Sequence, residues 1–324
     1  MARLLEVNNL TAGVKKDGKI YRILNGVSFS IDEGEIVGLA GESGCGKSMT
    51  ALSIPNLLPQ GIKILGGEII LNNIPLTSMS EKELSYIRGK EISVIFQDIR
   101  QSLNPLMRVG GQITEMLELA GSTDNEANKS QALETLASLG FEEPEKIFDA
   151  FPHQLSGGMC QRVMTAIAVI RRPRLLLADE PSSALDMESQ QHILSLLTEM
   201  NRKYKTSVLI ISHDLSIIRR FCSRFLVMYA GRIIEEGQAG TFFSPLHPYT
   251  NALIKTIPEK DKRGKKLDSI HGKVPSVYDK FSGCPFAPRC MKAQSICTQS
   301  FPPEKEINGA KVHCYFPLTG DSNG

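Results

Sequence analysis

Apolar and polar positions change their period along this chain, and the changes mark its elements. Over residues 3–37 short apolar runs (Leu4 and Leu5 with Val7, Ile23 and Leu24, then Val27, Phe29 and Ile31) alternate with polar positions and turns. That period of two predicts an antiparallel β-layer. Residues 35–40 are nearly all apolar and predict a buried strand, and residues 48–53 read as a helix start. A second β-rich stretch covers residues 64–97 and ends in an apolar run at 92–96 followed by Gln97. From 98 to about 165 the spacing becomes helical, over 112–119, 129–139 and 144–150, and a further helix runs through Ile170. This part reads as a helical subdomain inserted into an α/β core. The apolar run at 175–178 and the stretch 207–213 predict two more strands. The first leads into Asp179 and Glu180; the second ends in His213.

The chemistry collects at the ends of these strands. Gly41, Glu42, Ser43, Gly44, Cys45, Gly46, Lys47 and Ser48 fit the phosphate-loop pattern of a glycine, four residues, then Gly-Lys-Ser, with Met49 next. Glycines let the backbone turn its N–H groups toward an anion. Lys47 adds a charge for the β/γ-phosphates, and Ser48 a hydroxyl for Mg²⁺. A strand before and a helix after would place phosphate at a helix N-terminus. Gln97 is placed to reach Mg²⁺ or the attacking water. Asp179 suits the Mg²⁺ shell, Glu180 can polarise water for attack on the γ-phosphate, and His213 can touch that phosphate. Tyr21 is either a base-stacking ring or a half-buried strand tyrosine. Ser156, Gly157 and Gly158 open a helix and form a second anion-binding device, which predicts that a second copy completes each site.

Composition narrows the setting. The 324 residues suit two domains, or one large domain with an appendage. Net charge is +2, from 37 basic and 35 acidic side chains, too balanced for a nucleic-acid groove. No apolar run approaches the roughly 20 residues needed to span a bilayer, and the first residues lack an apolar signal core. A cytoplasmic location is expected, with any membrane link made through a partner. Of seven cysteines, Cys45, Cys160 and Cys222 are scattered, whereas Cys284, Cys290, Cys297 and Cys314 crowd the last stretch with spacing C-x₅-C-x₆-C-x₁₆-C. Without a C-x₂-C pair, simple zinc-ribbon and ferredoxin spacings do not apply, but four thiolates suit Zn²⁺ or an iron–sulfur cluster.

Taken in order, Gly41 to Ser48, Gln97, Leu155-Ser156-Gly157-Gly158, the run ending in Asp179 and Glu180, Ser183 to Asp186, and His213 resemble the Walker A, Q-loop, signature, Walker B, D-loop and H-loop of ABC-transporter ATPase subunits. His247-Pro248-Tyr249 and the segment from Gly283 to Cys290 further resemble the oligopeptide/dipeptide permease subfamily, in its D-type ATPase subunits. The resemblance implies a P-loop ABC ATPase: a RecA-like core with an antiparallel β subdomain and a helical subdomain, plus a small Cys-rich C-terminal extension. The domain boundary is expected near 250, giving a nucleotide-binding domain over 1–250 (helical part about 98–165) and an extension over 251–324. It implies ATP and Mg²⁺, a [4Fe–4S] cluster on Cys284, Cys290, Cys297 and Cys314 with zinc as the alternative, and a structural role for that metal. It also implies head-to-tail pairing with a second ATPase subunit, a related F-type paralogue, on the cytoplasmic face of the membrane. Two permease subunits would dock on the helical insert, with Leu103, Leu106 and Met107 as contacts or as internal packing, and an extracytoplasmic peptide-binding protein would act indirectly. Nickel importers share much of the pattern. Soluble ABC ATPases acting on DNA or translation carry tandem units or coiled coils that this chain lacks. Ile99 and Ser182 depart from the subfamily's usual residues, and 260–266 is a basic linker.

Overall fold

The structure, a computed structural model, describes residues 2–97, 102–181, 187–257 and 270–318. Ser183 to Asp186, Ile99, Ser182 and the 260–266 linker lie outside the described residues. In chain order the elements are β1 (Arg3–Lys16), β2 (Lys19–Asp32), β3 (Ile36–Ala40), α1 (Lys47–Ser53), β4 (Ile62–Leu71), β5 (Ile74–Pro75), α2 (Glu81–Ile87) and β6 (Ile92–Ile95). Then come α3 (Val109–Glu118), α4 (Asn125–Ser138), α5 (Pro144–Asp149), α6 (Gly157–Val169), β7 (Leu175–Asp179), α7 (Met187–Tyr204), β8 (Ser207–Ile211) and α8 (Leu215–Phe221). β9 (Arg224–Tyr229), β10 (Arg232–Gln238), α9 (Pro248–Lys255), α10 (Ser295–Gln299), β11 (Glu304–Ile307) and β12 (Ala310–His313) complete the chain.

The chain divides into two compact units. One comprises residues 1–4, 31–36 and 78–211. In it β6, β7 and β8 are parallel neighbours, with Ile95 opposite Ala178 and Asp179 opposite Ile211. Every residue of β7 and β8 is buried, as expected for a parallel sheet covered on both faces. The helical insert has its own core, built around Val109, Ile113, Leu136, Leu139, Val163 and Ala166. A Cβ on Gly110 would come within 2.4 Å of the Phe148 ring, so α3 packs closely on that side chain.

The other unit comprises residues 5–30, 37–77 and 212–324. It holds a layer in the order β2-β1-β4-β5, in which β1–β4 and β4–β5 are antiparallel, as the period of two predicts. Beside it runs β3-β9-β10-β12-β11, with β3 and β9 parallel and the later pairs antiparallel. The C-terminal extension is therefore joined to the same sheet as the strand that leads into the phosphate loop, with Glu235 opposite Val312. It also packs on one aromatic cluster. Phe286 meets Tyr229 and Tyr249, each with ring centroids 5.3 Å apart.

Two elements were hidden in segments read otherwise. The stretch 64–97 is not all strand: it contains α2, which Ser80 and Glu83 close with a reciprocal capping box. The tail, read only as a Cys-rich extension, forms the β11–β12 hairpin around Asn308 and Gly309, both at positive φ (51° and 76°). Asn-Gly is a favoured two-residue hairpin turn because both positions tolerate that backbone.

Candidate functional site

β3 ends at Ala40 and the chain turns at once through Gly41, whose φ is 152°. A Cβ there would lie 2.4 Å from the Met228 carbonyl oxygen, so only glycine fits. Gly46, at φ 112°, is the N-cap of α1, and no side chain caps that helix's first turn. Ser43 and Gly44 are exposed at the tip of the loop, Ser48 and Met49 are half-buried, and Cys45 is buried. Burial pushes the Cys45 thiol up and the neighbouring Lys47 charge opposes it. Lys47 is itself buried and donates from Nζ to the Gly41 carbonyl at 2.8 Å and the Glu42 carbonyl at 3.1 Å. The loop thus offers an open glycine tip, an uncapped helix start and one ammonium held across its base. These features fit a polyphosphate.

In the other unit, β6 and β7 bring Gln97 and Asp179 to the same ends of neighbouring parallel strands, where α/β folds place their ligands. Gln97 is exposed and Asp179 is buried. Glu180 leaves the strand at φ 49°, an uncommon backbone for glutamate that turns its side chain out of the strand's alternation. Its N–H donates to the Ile211 carbonyl at 3.0 Å, which fixes that turn against the end of β8. His213 is exposed two residues beyond β8.

Ser156 is the N-cap of α6 and its Oγ accepts the Met159 N–H at 3.3 Å; Ser156 and Gly157 are exposed and Gly158 half-buried. Sequence reasoning missed Gln161 on the same helix. It is 1% exposed and its Nε2 donates to the Pro181 carbonyl, tying the signature helix to the turn just after Glu180. Its neighbours Cys160 and Arg162 are only half-buried, so the local pattern carried no signal for it.

The expected [4Fe–4S] cluster, and zinc as its alternative, is not borne out. Among the described residues no group of three or more His, Cys, Asp or Glu side chains could hold a metal ion. Cys284, Cys290, Cys297 and Cys314 do face one small cavity, but its volume is about 20 Å³, room for roughly one water. All seven cysteines are free thiols. Burial pushes the Cys284 thiol up to about 11 and raises Cys290 and Cys314. The tail is held instead by aromatic packing and by its strand in the sheet.

His247, at the mouth of α9, carries a testable consequence. It is buried, and its Nδ1 accepts the Tyr249 N–H at 3.0 Å, so the neutral ring keeps its proton on Nε2. Glu235 accepts the Leu246 and His247 amides at 2.7 and 2.9 Å. Burial first, and the nearby His313 second, hold the His247 pKa down at about 3, against an ordinary 6.5. The unfolded chain takes up that proton from 6.5 downward and the folded chain does not. Stability from this group is therefore complete above 6.5 and lost as pH falls toward 3. Burial raises the Glu235 carboxyl and works the opposite way. His247→Asn keeps a capping acceptor without titrating, so it should flatten the acid limb of a melting-temperature-against-pH curve; an unchanged limb would assign the slope elsewhere.

A loop built for a triphosphate, a strand-end Asp-Glu pair and a capped Ser-Gly-Gly helix define an ATP-binding cassette ATPase. Residues 24–183 match the ABC transporter family, and residues 234–297 match the oligopeptide/dipeptide transporter C-terminal region. The oligopeptide transport ATP-binding protein AppD of Bacillus subtilis (strain 168) is 42% identical, covering 97% of this chain and 97% of its own length. The dipeptide transport ATP-binding protein DppD of Haemophilus influenzae (strain ATCC 51907 / DSM 11121 / KW20 / Rd) is 39% identical, over 99% and 97%. Among solved structures, an ATP-binding cassette captured as a post-hydrolysis dimer with ADP and Pi superposes with a TM-score of 0.67 at 31% identity, covering 73% of this chain and 99% of that one. The chain belongs to the ATP-binding subunits of the oligopeptide/dipeptide ABC transporters, and it is an ATPase.

Proposed function

We propose that this chain hydrolyses ATP to drive a peptide importer, as one of two ATPase subunits working with membrane permeases. One observation supports the reading: an ABC cassette is joined, in one chain, to a segment matching the oligopeptide/dipeptide transporter C-terminal region. Relatives named for dipeptide and oligopeptide transport match over almost the full length. In this reading Gly41 to Ser48 and Met49 bind the phosphates of ATP. Ser48, Gln97 and Asp179 would hold Mg²⁺, which supplies charge neutralisation on the phosphates. Glu180 takes a proton from the attacking water, and Gln97 and His213 orient water and γ-phosphate. Tyr21 stacks on the base; it lines a cavity of about 500 Å³ beside Tyr278.

Ser156, Gly157 and Gly158 act on the nucleotide of a second ATPase subunit, a related paralogue arranged head to tail. Permease contact falls on the helical insert. Leu103 is 5% exposed and belongs to the insert's core, whereas Leu106 is 86% exposed. Exposed Tyr86 and Leu119 border a cleft of about 1050 Å³ with Arg88 and Arg171, a shape that suits a short amphipathic helix. No described helix is long and apolar enough to cross a membrane, so the permeases would hold the chain at the cytoplasmic face. An extracytoplasmic peptide-binding protein would deliver cargo. Cells lacking the gene should lose uptake of labelled di- and oligopeptides and regain it with the wild-type gene. Unchanged peptide uptake with lost nickel uptake would overturn the assignment.

A further inference from the structure

Glu42, the second residue of the phosphate loop, is held from outside the loop by two residues of the C-terminal third. Its N–H donates to the Tyr249 hydroxyl at 2.8 Å. Its carboxylate receives both ends of the Arg289 guanidinium, at 2.7 Å on Oε2 and 3.0 Å on Oε1. The Arg289 side chain is only 4% exposed and that of Glu42 20% exposed. Arg289 also donates to the Tyr229 hydroxyl at 3.2 Å and to the backbone carbonyls of His271 and Ile270 at 2.8 and 3.2 Å. Five N–H donors meet five acceptors, which is the full capacity of a guanidinium.

The third grip on Glu42 comes from inside the site: its carbonyl accepts from Lys47. One residue of the loop is therefore shared between the ammonium that meets phosphate and two tail-side anchors. Electrostatics gives this arrangement a direction. A carboxylate beside a triphosphate opposes binding unless a cation neutralises it, and a planar fork does so while fixing its orientation. We propose that Arg289 is a positioning residue for ATP binding: with Tyr249 it clamps Glu42, cancels its charge, and makes the phosphate loop depend on a folded C-terminal segment.

This inference rests on the ATPase reading, and titrating a fluorescent ATP analogue into the full-length chain separates the two. A wild-type chain that binds no nucleotide would end the ATPase reading. With binding established, Arg289→Ala should weaken affinity by about tenfold, since a partly buried carboxylate is left unpaired beside the phosphates. Adding Glu42→Gln to Arg289→Ala should recover most of that loss by removing the stranded charge, an effect that mere loss of tail packing would not produce. Arg289→Lys keeps the charge but not the fork and should lose affinity roughly threefold; it decides the matter if Arg289→Ala does not fold. Affinities within twofold of wild type in the folded variants, or a double variant no better than Arg289→Ala, would overturn the proposal.

Discussion

Glu180→Gln should leave ATP binding intact and lower hydrolysis by the contribution of a general base, about 10²- to 10⁴-fold. The substitution is nearly isosteric, and the backbone it sits on is set by other groups. Glu180 lies at φ 49°, with its N–H on the Ile211 carbonyl, and the following Pro181 carbonyl accepts from buried Gln161. These bonds use backbone atoms and Gln161, and the amide keeps the size and shape of the side chain, so the turn should survive the substitution. The amide cannot accept a proton from water. Phosphate release at saturating ATP, measured on the subunit assembled with its permeases, checks this. Turnover at the wild-type rate would remove Glu180 from the role of base, and a parallel loss of nucleotide affinity would mean that it binds rather than reacts.

What could be read from the chain before its structure was known divides along a physical line. The phosphate loop was legible because its signal is local, a fixed glycine spacing ending in Gly46 and Lys47, even though Gly41 must also clear the distant Met228 carbonyl. The buried strands β3, β7 and β8 were legible as continuous apolar runs for the same reason. α2 and the β11–β12 hairpin were equally local, through a capping box and an Asn-Gly turn, but their polar residues masked them in a reading led by hydrophobicity. The thiols show the opposite failure. Four cysteines in one stretch implied a shared ligand, and they do share a cavity. Its volume and the neutral state that burial favours are tertiary properties that spacing does not encode. Glu42 and Arg289 are 247 positions apart, and no periodic pattern links them; only the folded sheet and aromatic cluster bring them together.

A second large effect should follow from Gly157→Asp. Within this chain glycine is not required there: a Cβ at Gly157 would meet nothing within 4 Å, and its φ is not in the left-handed region. Position 157 is the first residue of α6, just after the Ser156 cap. An acidic side chain in a helix's first turn is favourable, by about 0.3–1 kcal/mol. The variant should therefore fold as well as wild type, melt at the same or a higher temperature, and bind ATP normally at its own phosphate loop. If the exposed glycine exists to let another subunit's nucleotide approach, the new carboxylate both fills that space and repels the γ-phosphate. Hydrolysis by the assembled transporter should then fall by about 10²-fold or more, the scale seen when a transition-state charge loses its stabilising donors. The contrast between unimpaired binding by the separate subunit and lost turnover by the assembly is the signature of a site completed in trans. Normal turnover in the assembly would mean that each chain serves its own nucleotide, and the head-to-tail arrangement would have to be abandoned.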